Sequence, residues 1–207
     1  MPAPELIYCD SSLLVVNKPA GLLSVPGRGA DKQDCLSSRL QQEFPDALVV
    51  HRLDMATSGL MVFARGAEIQ SRLSQMFRER EVGKRYVAVV AGKMESPTGE
   101  VNLPIVADWP KRPLRKIDAK HGKPSLTRYR SLAHDAESNI SRVELEPVTG
   151  RTHQLRLHMT AIGHPILGDA LYGNATSAAR LLLHASMLSF AHPLSGELLN
   201  LVSVAPF

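Results

Sequence analysis

One carboxylate, Asp54, lies in the segment HRLDMATSGL (residues 51–60), two positions after Arg52 and just ahead of small and hydroxylated residues. No other acid occurs between Asp46 and Glu68. Glycoside hydrolysis ordinarily takes two carboxylates, one as acid and one as base or nucleophile, and this neighbourhood offers one; the sequence leaves a distant partner open. Serine-nucleophile chemistry is not signalled either, because no G-x-S-x-G turn is present. Thr57-Ser58-Gly59 reads instead as a turn whose hydroxyls bond nearby backbone. GRGADK is too short for a phosphate-cradling loop. Asp54 is then either a cap that ties down a loop or a lone reacting group at a sheet rim.

Two further segments bear on that choice. GRTHQLRLH (residues 150–158) brings Arg151 and Arg156 around a helix start, suited to an anion or a carboxylate. An arginine paired with Asp54 would keep it ionised and oriented, as a nucleophile or base requires; the plainer reading of Arg156 is a surface arginine. Tyr86, in KRYVAVV, stands in an apolar strand, where it serves either the core or as a stacking platform for a base. His153, His158 and His164 cluster in sequence but lack an H-E-x-x-H spacing. His153 and His158 diverge on a helix, so these residues read as hydrogen-bonded or RNA-facing, and no metal site is expected.

The elements that must position these groups follow from periodicity. LIYCD and LLVVNK read as strands around a turn at Asp10–Ser12, and LVVHRLD and GLMVFAR as strands either side of the Asp54 loop. Asp34 is a candidate N-cap for a short helix, CLSSRLQQEF. Ile69, Leu73, Met76 and Phe77 define an amphipathic helix with Arg72, Arg78 and Arg80 outward. KRYVAVVAG reads as a strand buried on both faces. Residues 107–124 hold three prolines and read mostly as loop or edge. LTRYRSL and SRVELEP alternate as half-buried strands. A helix over THQLRLHMTAIGHP stops at Gly163, and two strands end the chain. The fold class is α+β, with a mixed, mostly antiparallel central sheet and flanking helices and loops.

The chain has 207 residues, 44% of them hydrophobic, enough for a proper core. No apolar run approaches a membrane span and the N-terminus does not resemble a signal peptide, so a cytoplasmic protein with no membrane association is expected. Cys9 and Cys35 read as buried thiols. The net charge is only +4, but residues 111–130 hold eight Lys or Arg against Asp118 alone. Residues 72–85 add five more bases against Glu79 and Glu81. Such clustering is a candidate polyanion surface or a solvated basic face. With no repeat or linker, one domain over residues 1–207 is expected.

Taken together and in this order, HRLDMATSGL, KRYVAVV and GRTHQLRLH resemble the signature motifs of the RluA-type pseudouridine synthases. VNKPAGLLSVPGR, MFRERE, DWPKRP, GHPILGD and RLLLHA extend the likeness over essentially the whole chain. SVPGR, HRLDMATSG and DWPKRP resemble the short founding subgroup in particular. Met55-Ala56, in place of a charged pair common in longer relatives, fits that subgroup too.

The resemblance implies the pseudouridine synthase catalytic fold without a separate S4-like RNA-binding domain. It implies isomerisation of uridine to pseudouridine in RNA, with no cofactor and no metal. Asp54 would be the catalytic aspartate, attacking C1′ or C6 or abstracting a sugar proton. Tyr86 would stack on the target base, Arg156 would pair with Asp54, and Arg52 would fill the space left by the flipped uridine. Lys111, Arg112, Arg115 and Lys116, with Arg151 and His153, become candidate RNA contacts, and Trp109 and Tyr129 candidate contact surface. The subgroup's substrates are a 23S rRNA hairpin and a tRNA anticodon stem-loop, and a monomer is expected. A non-catalytic RNA-binding or remodelling protein on the same fold, and a base-releasing glycosylase, are the alternatives.

Overall fold

The computed structural model describes residues 4–207. In chain order its first strands are β1 (Glu5–Cys9), β2 (Leu13–Lys18), β3 (Ala47–Val49), β4 (Ser58–Arg65), β5 (Gly83–Ala91) and β6 (Thr98–Asn102). Then come β7 (Ile105–Ala107), β8 (Arg115–Ile117), β9 (Leu126–Asp135), β10 (Ile140–Pro147), β11 (Leu183–Ala191) and β12 (Leu198–Val202). The α-helices are α1 (Leu36–Glu43), α2 (Ala67–Glu79) and α3 (Gln154–Ala161). The expected α+β class with a mixed, mostly antiparallel sheet is what the strands build. Among the described residues no helix is long and apolar enough to cross a membrane.

The chain divides into two compact units: one runs up to Lys84 and resumes at His184–Pro206, the other spans Arg85–Leu183 with Phe207. In the first unit β1, β2 and β4 pair antiparallel, and β3 adds to β4. Parallel pairing joins β4 to β11 through Ser58–His184 and Gly59–Ala185, and β12 closes antiparallel on β11. Gly59, at φ 114°, could carry no Cβ there, because the Ala185 backbone occupies its place. The core gathers Leu13, Val15, Leu60, Val62, Ile69, Leu73, Leu188 and Phe190. Ile69 and Leu73 come from the apolar stripe of α2, whose Arg72, Arg78 and Arg80 are exposed as the spacing predicts.

Two expectations in this unit need correction. The N-cap of α1 is Cys35, not Asp34: the Cys35 thiol accepts from the Ser38 N–H and the Ser38 hydroxyl accepts from the Cys35 N–H. Asp34 instead binds Arg39 bidentately at 2.7 Å, a stronger partner than a helix terminus. Cys9 is exposed, because β1 pairs only with β2 and turns this residue outward; Cys35 is buried as expected.

In the second unit β5, β10, β9 and β6 form an antiparallel run. Register places Tyr86, Leu145, Tyr129 and Gly99 in one row across those strands. Side chains in such a row share a face. Thr127, two residues from Tyr129, is hydrogen-bonded to Gln154 and His158 of α3, so this is the face that α3 covers. The other face carries Arg85, Arg128 and Arg130 against Glu100, Glu144 and Glu146 at 2.8–3.7 Å. Part of the basic excess is thereby neutralised. β5 is buried on both faces only over Ala88–Val90, since Arg85 at its start is exposed and Tyr86 half-buried. The proline-containing basic stretch is more ordered than expected: β7 and β8 pair as a separate hairpin, closed at its tip by a 3-10 turn over Trp109–Lys111.

Candidate active site

Asp54 and Arg52 belong to the first unit, between β3 and β4. The backbone around Asp54 is fixed from both sides. The Ser24 hydroxyl donates to the Leu53 carbonyl at 2.7 Å and accepts from the Leu53 N–H at 3.2 Å. The Thr57 N–H closes a turn on the Asp54 carbonyl at 3.1 Å, and the Gly21 N–H donates to the Met55 carbonyl at 2.8 Å. Asp54 is half-buried on this turn, while Arg52 projects into solvent. His51 anchors the near end, accepting from the Val62 N–H at 3.0 Å and stacking on Phe77 with ring centroids 4.5 Å apart. Burial, reinforced by the Lys84 charge, lowers its pKa to about 3, so the ring stays neutral and the acceptor persists.

Lys18 was not singled out by the sequence, because a lysine closing the apolar run LLVVNK reads as a strand end reaching water. Its side chain is instead fully buried and its ammonium donates to the carbonyls of Pro19, Leu22 and Met55 at 2.7–3.1 Å. Burial lowers its pKa to about 8, and the Asp54 charge pulls in the opposite direction. Between about pH 8 and 10.5 the unfolded chain therefore binds the proton that the folded chain has lost, so this group's contribution to stability rises with pH. The unfolding free energy of the wild type, measured against Lys18→Met by urea denaturation, is expected to gain on the order of 2–3 kcal/mol over that window. A difference that stays flat with pH would show that Lys18 is not titrating inside the fold.

Tyr86 and Arg156 belong to the second unit and share one side of its sheet. Arg156 is not a surface arginine at a helix start, since it lies inside α3 and is only 4% exposed. Its Nε and Nη2 donate to Asp169 at 2.8 and 2.6 Å. Asp169 also accepts from the N–H groups of Leu171 and Tyr172. Burial alone would raise this carboxyl, but the Arg156 guanidinium and the two amides override it and hold it below the usual carboxylate range. The loop that delivers Asp169 turns at Gly168, φ 72°, where a Cβ would run into the Arg180 carbonyl. Sequence reasoning missed Asp169; the signal available was the Gly-Asp ending of GHPILGD.

Tyr172 gathers several of the expected RNA contacts. Its hydroxyl accepts from the Arg115 N–H and is hydrogen-bonded to His153 Nδ1, both at 2.8 Å, and its ring lies 5.4 Å from the Arg156 guanidinium. His153, Arg115 and Arg156 thus converge on one side chain. Lys111 and Arg112 stand at the hairpin tip and Lys116 on β8, all exposed. Arg151 is exposed beside Pro124, ahead of α3. Of the other histidines, His158 is buried between Thr127 and the Leu103 carbonyl, its pKa lowered by that burial, and His164 bonds the Ala91 carbonyl. Trp109 and Tyr129 separate: Trp109 is at the exposed tip, whereas Tyr129 lies over Gly99 in the sheet.

The chain is similar to known proteins over nearly its whole length. Residues 12–161 match a family model described as RNA pseudouridylate synthase. The chain is 47% identical over 205 residues to a protein of Escherichia coli called dual-specificity RNA pseudouridine synthase RluA, covering 98% of this chain and 93% of that one. A protein of the same name from Haemophilus influenzae is 46% identical over 209 residues, covering 100% and 95%. Among solved structures, human RNA pseudouridylate synthase domain containing 1 superposes with a TM-score of 0.81 at 31% identity, covering 99% of this chain and 84% of that one.

Proposed function

Given that the chain belongs to the RNA pseudouridylate synthase family, we propose that it isomerises specific uridines in two RNAs, a 23S rRNA hairpin and a tRNA anticodon stem-loop. The conversion breaks the N1–C1′ bond, forms a C5–C1′ bond, releases the C5 proton to solvent and takes up a proton at N1. No water is consumed and no electron leaves the substrate. A lone carboxylate suits such a reaction, whereas hydrolysis also needs an activated water. The target must leave the stack, since C1′ and C5 both have to be reached and the base has to turn in place.

The reading is supported above all by Asp54, one carboxylate on a turn held by Ser24, Gly21 and Lys18. In it Asp54 acts at C1′, at C6 or on a sugar proton, Tyr86 stacks on the uracil, and Arg156 pairs with the Asp54 carboxylate. Arg52, exposed two residues before Asp54, fills the gap left by the flipped uridine. Lys111, Arg112, Arg115, Lys116, Arg151 and His153 contact the RNA backbone, which predicts binding that weakens steeply with salt. The two units act together as one catalytic domain, in a monomer working in the cytoplasm.

Transcripts of 23S rRNA fragments and tRNAs labelled with tritium at uridine C5 test this. Tritium is expected from one rRNA hairpin and one anticodon stem-loop, with pseudouridine mapped to a single position in each. Release from only one RNA class overturns the dual specificity. Binding without any release means a non-catalytic RNA-binding protein, and free uracil in the supernatant means a glycosylase.

A further inference from the structure

The hairpin of β7 and β8 presents a feature that the chemistry at Asp54 does not use. Trp109 is 66% exposed, although burial of so large a ring is favourable and a polar residue would suit a hairpin tip better. The Arg112 guanidinium lies over one face of the indole, 3.4 Å from the ring centroid. With that face covered and two thirds of the side chain in water, the opposite face is open to solvent. The backbone turn that carries the ring is closed by its own hydrogen bonds. Lys111 N–H donates to the Asp108 carbonyl, Leu114 N–H to the Lys111 carbonyl and Asp108 N–H to the Leu114 carbonyl, all at 2.9–3.1 Å. The Tyr172 hydroxyl accepts from the Arg115 N–H and ties β8 to the loop that carries Asp169.

A half-covered aromatic ring on a hydrogen-bonded turn, beside cations, is a platform for a flat partner with a phosphate attached. Lys111, Arg112 and Lys116 are exposed on the same hairpin, against two acids, Asp108 next to Trp109 in sequence and Asp118, whose carboxylate is 3.8 Å from the Lys116 ammonium. Tyr129 offers no equivalent, because its ring is laid over Gly99. The geometry points to Trp109, backed by Arg112, as the stacking site for a second unpaired base of the RNA loop, distinct from the uridine that reacts. This rests on the reading of the chain as a stem-loop-modifying enzyme. Stacking tolerates any base, since every base has a π-face. Trp109 therefore selects RNAs with a splayed-out loop nucleotide at the right distance from the target, and a shared shape of that kind lets one surface accept two RNAs of different sequence.

Trp109 is the only tryptophan in the sequence, so intrinsic fluorescence reports on this site alone. The Asp54→Asn protein is titrated with an anticodon stem-loop transcript and with copies carrying one abasic loop nucleotide at a time, saturation being verified by filter binding. Emission is expected to fall by roughly half or more with the intact loop, and the quench to vanish for one abasic position other than the target uridine. A fully paired duplex is expected to leave emission nearly unchanged. In otherwise wild-type protein, Trp109→Ala is expected to raise KM about 10- to 100-fold with little change in kcat, and Trp109→Phe to recover most of it. Both substitutions are on the surface, so thermal melts are expected to match the wild type.

Unquenched emission at saturation, equal quenching by every abasic loop, or an unchanged KM for Trp109→Ala each overturns the stacking site. If wild-type protein releases no tritium from any transcript while the quench still depends on a single loop base, the stacking site stands and the isomerase reading falls.

Discussion

Replacing Asp54 by Asn is expected to lower tritium release by more than about a thousandfold while leaving RNA binding and the fold in place. Removal of a positioned acid, base or nucleophile has effects of that size or larger. An amide cannot attack C1′ or C6, and it cannot take a proton from the sugar, so the expectation holds for every route open to the carboxylate. The turn survives because it is closed by the backbone carbonyl of residue 54 and by the flanking bonds at Leu53 and Met55, which Asn retains. One electrostatic change does follow. The Asp54 charge favours the protonated form of Lys18, so its loss lowers the Lys18 pKa further below about 8. Single-turnover assays and melts run from about pH 6 to 8 separate that change in protonation from the loss of the carboxylate itself. Asp54→Glu separates charge from placement: it keeps the carboxylate but moves it by a methylene, and about a hundredfold loss is expected from misplacement alone. A rate for Asp54→Asn within tenfold of wild type would remove Asp54 from the chemistry.

What the sequence made legible here was what depends on local pattern. The apolar spacing of Ile69, Leu73, Met76 and Phe77 suffices for α2, because one face of a helix is written into its own residues. The strands around HRLDMATSGL are equally local. The hidden features depend on partners remote in sequence. Nothing in LLVVNK says that three carbonyls wait for the Lys18 ammonium, one of them Met55, which is 37 positions away. Nothing in QLRLH says that Arg156 is buried, because its reason is Asp169 in the next segment. The Asp34 expectation failed through competition: an aspartate has several uses, and Arg39 outweighed the helix terminus. The count of bases over residues 111–130 overstated the free positive charge, since Arg128 and Arg130 face glutamates on neighbouring strands. Candidate chemistry was readable from residue types in order along the chain, but its supports became visible only once the strands were in register.

Those supports carry the other large effect. Asp169→Ala is expected to cost about 3–5 kcal/mol, because it takes from Arg156 a buried carboxylate that meets it through two hydrogen bonds. In a chain of this size that is a fall of roughly 10 °C in melting temperature. The exposed pairs of the neighbouring sheet face, such as Arg128 with Glu100, are screened by solvent and contribute far less. Asp169→Ala also removes the acceptor of the Leu171 and Tyr172 amides, and with it the seat of the Tyr172 ring. Asp169→Asn keeps an acceptor in place and isolates the charge. Because the carboxyl is held below its unfolded value of about 4, the folded chain binds fewer protons than the unfolded chain near that pH. The stabilisation is thus complete above about pH 4 and is lost as the pH falls through the folded value. The stability advantage of wild type over Asp169→Asn is expected to be largest at neutral pH and to shrink below about pH 4, as read from urea denaturation across that range. The double replacement Arg156→Met with Asp169→Leu distinguishes scaffold from chemistry. Well-packed apolar residues can replace a buried ion pair at little or no cost, so stability is expected to return except for what the Leu171 and Tyr172 amides lose with their acceptor, while tritium release stays more than about a hundredfold below wild type. Recovery of the rate along with the stability would make Arg156 a structural residue and overturn the proposed pairing with Asp54.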